Sequence, residues 1–414
     1  MLASDARGDA ALVWREVRAA GHRPNWWYDS FVRVAFAGPT GAVVTRTVWG
    51  HAHTMIAGVT DALDALGELA VAWVEEPSGS GGPITVRALR RSPAGRWSAP
   101  QAVGRSSTAF FYATPELAVA PDGEMLLTWN AGSAVGVKAA WSAPGHDFGA
   151  ASVVNGSKAA AILDPTPIFD PGGAAHVYGT VDCDGRNSRG VMLSTPAHSH
   201  HFLRPVVVAP APAENLEISF SAPGRALAAW QHEECSTLEA GPGSPYARVM
   251  LRGSFAAPVA LDPHTSAYSV TPVAANAGGG SVAWLGELSA SRFPGLMMAT
   301  ADTEGHFSIP STPADGLVPV GRDSAGDLVL QDLLLEFEIS QGTIPGAAAP
   351  ASPVAVQPVA GAELEPSPLA LITGTPPAGS VSSPFIAEAA IGRGAALAWR
   401  NGVTGKVAIA TWRP

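Results

Sequence analysis

Lysine is nearly missing from this chain: Lys138, Lys158 and Lys406 are the three it has in 414 residues. Charge of any sign is scarce at 14% of residues, against about a quarter in ordinary soluble domains. The formal net charge of −10 is spread thinly, with no basic run, which excludes a nucleic-acid partner. No apolar stretch reaches the roughly 18 residues free of proline and charge that a spanning helix needs, so no membrane span is expected. Asp5 and Arg7 fall where the apolar core of an export leader would have to run. Catalytic signatures are missing too: there is no nucleophile-elbow Gly-x-Ser-x-Gly, no P-loop and no dinucleotide fingerprint. The histidines of "HSHH" (198–201) have no spaced cysteines or carboxylates to complete a metal site, so they read as a solvated turn. No metal and no cofactor is expected.

Glycine and proline are plentiful, 45 and 36 residues, and they punctuate every stretch long enough for a helix. Between them runs a repeat. A turn glycine followed six residues later by an aromatic recurs in "GDAALVW", "GELAVAW", "GEMLLTW", "GGAAHVY", "GRALAAW" and "GGGSVAW". A seventh copy, "GDLVLQD", has Asp332 at the aromatic position, and an eighth, "GRGAALAW", ends on Trp399. The marked positions are 14, 73, 129, 178, 230, 284, 332 and 399, spaced by 48 to 67 residues.

Each unit reads as four short strands. An apolar segment leads into a turn such as "DALG", "PDG" or "DPGG", where an early Asp and a closing Gly suit a type I turn ending on a left-handed residue. The second strand carries the aromatic. A third strand and a hairpin of the type "GRWSAP", "GSFAAP" or "GHFSIP" lead to a fourth. Four antiparallel strands repeated eight times predict an all-β fold, a β-propeller of four-stranded blades, with seven blades as the alternative count. One domain is expected over 1–414, with blades near 1–50, 51–103, 104–155, 156–208, 209–262, 263–315, 316–372 and 373–414. The repeated Trp is expected to pack blade against blade.

The units lack the signatures of WD40 and kelch repeats. Their pattern, "A-x-D-x-x-G-x-A-x-x-x-W" followed by "G-x-W-x-x-P", resembles the repetitive propellers of secreted bacterial proteins. Those are distant relatives of the sialidase-type propellers with Asp-box repeats. "TADTEGHF" comes nearest to an Asp-box, with Thr300, Asp302 and Phe307 in place and Gly305 one position late. The resemblance implies a scaffold. A sialidase site would add three arginines gripping a carboxylate, a Tyr/Glu pair and an Asp, and no positions in this sequence can be matched to them.

In such a scaffold the loops between second and third strands share one face with the links between blades. That face collects Trp26, Trp27 and Tyr28, His51 and His53, Glu75 and Glu76, and Phe110, Phe111 and Tyr112. Loop aromatics stack on sugar rings while polar neighbours fix orientation; they can equally cap the blades. Glu75, Glu76, Glu233 and Glu234 are candidates for paired carboxylates. Cys183 and Cys235 lie five residues past the aromatic in adjacent units, which suggests a disulfide between blades 4 and 5, with two free thiols as the alternative.

The expected function is a secreted or cell-surface binding module for a carbohydrate or protein ligand, monomeric and non-enzymatic. The alternatives are a sialidase-like glycan hydrolase with carboxylates at the central channel, and a cytoplasmic location. The last unit supplies only three strands by this reading, and the first begins partway through its first strand. The expectation is therefore that a closing outer strand, and an export signal, lie upstream of Met1.

Overall fold

The computed structural model describes the chain apart from residues 1, 5–8, 21–26, 38–42, 78–83, 107–113, 133–134, 155–161, 182–186, 234–242, 264–266, 275–278, 288–293, 311–316, 323–327, 333–353, 357–366, 369, 374–380, 392–393, 402–406 and 414; beyond Pro310 it describes strand backbone alone. Every regular element among the described residues is a β-strand, so none is a helix long and apolar enough to cross a membrane.

The strands fall into consecutive antiparallel sheets. The first contains β1 (Leu2–Ser4), β2 (Ala10–Ala20), β3 (Trp27–Ala37) and β4 (Val43–His51); the second, β5 (Thr54–Leu63), β6 (Leu69–Pro77), β7 (Ile84–Arg91) and β8 (Gln101–Ser106). A lone parallel pair, Asp29 with Thr54, joins these two. The third contains β9 (Glu116–Val119), β10 (Met125–Asn130), β11 (Val137–Ser142) and β12 (Ser152–Val153). The fourth contains β13 (Leu163–Phe169), β14 (Ala175–Val181), β15 (Arg189–Ser194) and β16 (Val206–Ala209).

In the fifth sheet β17 (Glu214–Ala222), β18 (Arg225–His232) and β19 (Ser244–Leu251) are followed by β20 (Ser254–Phe255) and β21 (Val259–Ala260), which both pair with β19. The sixth contains β22 (Ala267–Ala274), β23 (Gly280–Glu287) and β24 (Pro294–Ala301), with Phe307 bridging back to Ala301. The seventh contains β25 (Leu317–Arg322), β26 (Leu328–Asp332), β27 (Val354–Val356) and β28 (Ser367–Pro368). The last contains β29 (Ala370–Thr373), β30 (Val381–Ile391), β31 (Gly394–Asn401) and β32 (Val407–Arg413), in the order β29-β32-β31-β30.

That order corrects the expectation of a last blade without an outer strand. Ala370–Thr373 precedes the other three strands in sequence, yet folds over to pair with β32 and fills the fourth place from within the chain. First strands neighbour one another in chain order along β1, β5, β9 and β13, and along β17, β22, β25 and β30; β30 lies beside β1.

The first seven repeat positions fall on the second strand of their sheets, and Trp399 falls on β31, which lies next to the innermost strand β30. Trp73, Trp129, Trp230 and Trp284 are fully buried, and each sits in a core shared with the preceding sheet. Trp73 packs with Val13 and Val34 of the first sheet, Trp129 with Val86 and Ala88 of the second. Trp230 packs with Tyr178 and Met192 of the fourth, and Trp284 with Leu227 and Ala229 of the fifth. The tight spacing requires small residues opposite the rings. A Cβ on Gly104 of β8 would lie 3.0 Å from Cη2 of Trp129, closer than carbon atoms pack.

Two of the turns between first and second strands share one plan. Asp64 Oδ1 accepts the backbone N–H of Leu66 and Glu68, and Asp170 Oδ1 that of Gly172 and Ala174. Gly67 at φ 85° and Gly173 at φ 82° close them in the left-handed region. In the fourth unit the turn thus uses the second glycine of the pair Gly172–Gly173, one place later than the aligned repeat suggests. Asp302 repeats the device in the nearest Asp-box match, accepting from Glu304 and His306.

Candidate functional site

The first strands are not regular. In the second sheet Ala57 pairs with Val74 but Thr60 with Ala72, one residue more on β5 than on β6. The same surplus occurs between Leu163 and Thr166 and between Glu214 and Glu217. Such β-bulges re-aim the side chains that follow them. Two are held by a left-handed residue, Gly58 at φ 51° and Asn215 at φ 51°. At Gly58 the next sheet comes so close that a Cβ would stand 2.9 Å from Thr114 and Pro115.

The bulges bring one register position of each first strand to the end where second and third strands are joined. Opposite the residue preceding each repeat aromatic stand Thr60, Glu116, Pro167, Glu217 and Thr271. Thr60 Oγ1 lies 3.5 Å from Glu116 Oε2. Tyr178, buried one sheet before Glu217, donates its hydroxyl to Glu217 Oε2 at 2.8 Å. Water reaches Glu217 although protein surrounds it, the combination of a side chain lining a concavity. Its carboxyl is raised above the usual range by desolvation, an effect the Tyr178 hydrogen bond partly offsets.

This is a Tyr/Glu pair, which sequence reasoning did not place, and its electrostatics run against a nucleophilic tyrosine. Burial, then the charges of Glu217 and Glu116, push the Tyr178 hydroxyl well above its ordinary pKa. It stays protonated and serves as a donor that fixes Glu217.

A second acidic group adjoins it. Glu214, at the start of β17, and Glu233, just past β18, are both raised by desolvation, and Glu214 is raised further by the charge of Glu233. The half-buried and buried arginines do not neutralise this end. Arg33 pairs with Glu16, Arg87 with Glu75 and Arg90 with Glu68, while Arg248 donates to the carbonyls of Val208, Phe255 and Ala256.

Of the residues predicted from sequence, His51 and His53 are exposed at this same end, where His53 N–H bonds to Asp29 Oδ1 at 3.1 Å and His51 meets Trp49 edge-on at 4.5 Å. Glu75 belongs to the scaffold: it accepts from Trp49 Nε1 at 2.9 Å and from Arg87, whose guanidinium lies over the Trp49 ring. Glu76 is half-buried next to it on β6 and aligns with Met55. The backbone of Trp27 and Tyr28 opens β3, without their side chains being described. Trp26, Phe110, Phe111, Tyr112, Cys183, Glu234 and Cys235 lie outside the described residues. Glu116, Tyr178, Glu214 and Glu217 escaped the sequence reading, because what unites them is register across sheets.

The opposite end holds the histidines of "HSHH". They dock on the preceding sheet, with His200 Nε2 at 2.8 Å from Glu124 and its ring stacked on Trp141 at 4.3 Å, and His198 3.7 Å from Asp122. The segment is an exposed turn, as the sequence suggests, and it also makes a contact between sheets. Among the described residues no three of His, Cys, Asp and Glu gather as a metal cluster.

No protein-family model matches this chain, and no curated protein matches it. Among solved structures it is similar to the polysaccharide lyase Uly1, at 10% identity over 83% of this chain and 88% of that one, with a TM-score of 0.49. It is similar to the β-propeller domain of the Trilobed protease from Pyrococcus furiosus, which has an open velcro topology, at 8% identity over 87% and 95% with a TM-score of 0.44. The Hadza microbial sialidase Hz136 is matched at 10% identity over 73% and 71%, with a TM-score of 0.39. These likenesses are of chain trace, and the chemistry of the site rests on its own side chains.

Proposed function

We propose that the eight sheets form a propeller ring and that the protein is a non-enzymatic carbohydrate-binding module, acting outside the cell, which takes neutral glycan at the bulged end of its first strands. The adjacency of consecutive first strands, and of β30 with β1, supports the ring. The observation that carries the function is the Tyr178–Glu217 pair: a water-accessible carboxylate held in one place by a buried donor. A fixed carboxylate accepts hydrogen bonds from two sugar hydroxyls, and aromatic rings stack on sugar faces. The segment 107–113, with Phe110, Phe111 and Tyr112, leads almost directly into Glu116, and the segment carrying Trp26 and Trp27 enters β3 at the same end.

The charge of this end selects against acidic sugars. Glu116, Glu214, Glu217 and Glu233 would repel a sialic acid or uronate carboxylate, and among the described residues Arg33, Arg87, Arg90 and Arg248 are engaged with other groups. With Tyr178 kept protonated, its hydroxyl is disfavoured as the nucleophile of a sialidase-like hydrolase. A glycan array carrying neutral and sialylated members, paired with a panel of fluorogenic glycosides, tests the assignment. Saturable binding to neutral glycans without turnover is expected. Release of fluorophore, preference for sialylated members, or binding only to protein ligands would overturn it.

A further inference from the structure

The carbohydrate reading uses the charge of Glu214 and Glu233 but gives no role to their inward oxygens. Glu214 stands opposite Gln231 in the β17–β18 register. Glu233 follows Gln231 by two residues, and so returns to the same side of the sheet. The side chains of Gln231 and Glu233 overhang Gly243: a Cβ there would lie 2.8 Å from Glu233 Cβ, 3.2 Å from Gln231 Cβ and 3.2 Å from Glu233 Oε2. Gly243 is fastened to Ala267 of the sixth sheet by two opposed backbone hydrogen bonds of 2.8 and 3.2 Å. Gln231 also donates to the Ala267 carbonyl, and Asn215 donates to Gln231 Oε1. The frame between the fifth and sixth sheets is thus stitched from three sides.

Within that frame the Oε2 atoms of Glu214 and of Glu233 are both buried and without a hydrogen-bond partner. Glu214 is only 8% exposed. Buried polar atoms are almost always satisfied, and a like-charged pair of them calls for a positive partner. Arg248, the half-buried arginine of the same sheet, is spent on three backbone carbonyls. The amide nitrogen of Asn215 is spent on Gln231, which leaves its carbonyl oxygen as a further donor to a cation.

We propose that Glu214 and Glu233 hold a calcium ion between the fifth and sixth sheets, with the side-chain oxygen of Asn215 and water completing its shell. The donors are all oxygen, the preference of a hard divalent cation over zinc or copper. Two carboxylates and an amide oxygen place the affinity in the weak range typical of extracellular modules, about 0.1–1 mM. The ion would clamp two sheets where the chain leaves β18 for the segment 234–242, next to the sugar-binding end.

Calcium chloride titrated into EDTA-treated full-length protein at pH 7, with ionic strength held by potassium chloride and no sugar present, tests this without reference to the glycan reading. Calorimetry should show one saturable site, and the melting temperature should rise with occupancy. Glu214→Gln and Glu233→Gln should each lose at least tenfold in affinity. Both should melt no lower than the unsubstituted protein in EDTA, since each removes one of two repelling charges. Gly243→Ala, which displaces the Glu233 side chain without altering charge, should weaken binding as well and serves if a Gln variant fails to fold. Absence of saturable binding would overturn the proposal. So would unchanged affinity in all three variants, or a melting temperature indifferent to calcium but falling as pH rises from about 4 to 7, which would assign the pair a shared proton.

Discussion

The two ends of the strands are built on opposite principles. At the tight-turn end one solution recurs at Asp64, Ser92, Asp170 and Asp302: the side chain opens the turn and accepts backbone N–H groups, and a left-handed Gly closes it. Charges there are paired in burial. Glu68 Oε1 meets Arg90 Nε at 2.9 Å, and Glu68 Oε2 accepts from Gly145 N–H at 2.9 Å, which ties the second sheet to the third. At the bulged end the register slips, and the carboxyls of Glu214, Glu217 and Glu233 are raised by desolvation. The first end is spent on stability. The second carries a group of desolvated carboxyls, a cost of the kind that clusters at functional sites.

Breaking the stable end should therefore have the largest effect. Arg90→Ala leaves Glu68 buried without its partner, together with the Ala143 and His146 carbonyls that Arg90 serves. The expected loss is about 3–5 kcal/mol, read as a lower urea midpoint. The double variant Arg90→Met with Glu68→Gln should recover a large part of it, because the isolated charge is what costs most.

Next comes acid. His176, on β14, is held down to about pKa 4 by desolvation, against the opposing pull of Asp170. Its ring stacks on Phe220 at 4.2 Å and Nδ1 meets Ser194 Oγ at 2.8 Å. A depressed histidine contributes stability that is full above its unfolded pKa near 6.5 and lost as pH falls toward 4. That depression corresponds to about 3 kcal/mol. The carboxylates at the other end have the opposite sign. Glu214, Glu217 and Glu233 are raised, so their contribution is present at low pH and declines as pH rises past the normal carboxyl range. His176→Phe should flatten the loss of stability between pH 6.5 and 4 in thermal melts; a limb of unchanged slope would reject the assignment.

How far the sequence announced this contrast follows from what each end is made of. The repeated turns and the aromatic on every second strand are local, each within about ten residues, so a pattern search finds them. Even Asp332, which breaks the aromatic rule, keeps its place on β26. The bulged end is non-local. Tyr178 meets Glu217 across 39 residues and Thr60 meets Glu116 across 56, through sheets whose relative register no single segment records. A bulge also adds its residue without a signature of its own: Asp164–Pro165 and Asn215–Leu216 look like ordinary strand starts. The strand Ala370–Thr373 is hidden for a related reason, since its short apolar run reads as the end of one unit although it belongs to the next sheet.

Between the two ends, the walls of packed sheets can be probed by volume. Gly104→Ala on β8 pushes a methyl group against the Trp129 indole, which is fully buried and boxed in by Val86, Ala88 and Leu127. A loss of about 1–3 kcal/mol is expected from overpacking, read from the urea midpoint at constant slope. Trp129→Phe in the same chain should relieve part of it, which a glycine needed only for its backbone freedom would not allow.

The smallest effect on stability should come from Glu217→Gln, and that is what makes it the sharpest comparison. The substitution keeps the shape and an oxygen to accept from Tyr178, while removing a desolvated charge. If the bulged end is kept for a ligand, the melting temperature should stay put or rise slightly, within about 0.5 kcal/mol. Binding to neutral glycans should nevertheless fall about tenfold, the worth of a charge-assisted hydrogen bond to a sugar hydroxyl. If Glu217 were only another structural partner of Tyr178, the order would reverse, with stability lost and glycan binding intact. The same protein preparation gives both readouts, so the two accounts of this carboxylate cannot both survive it.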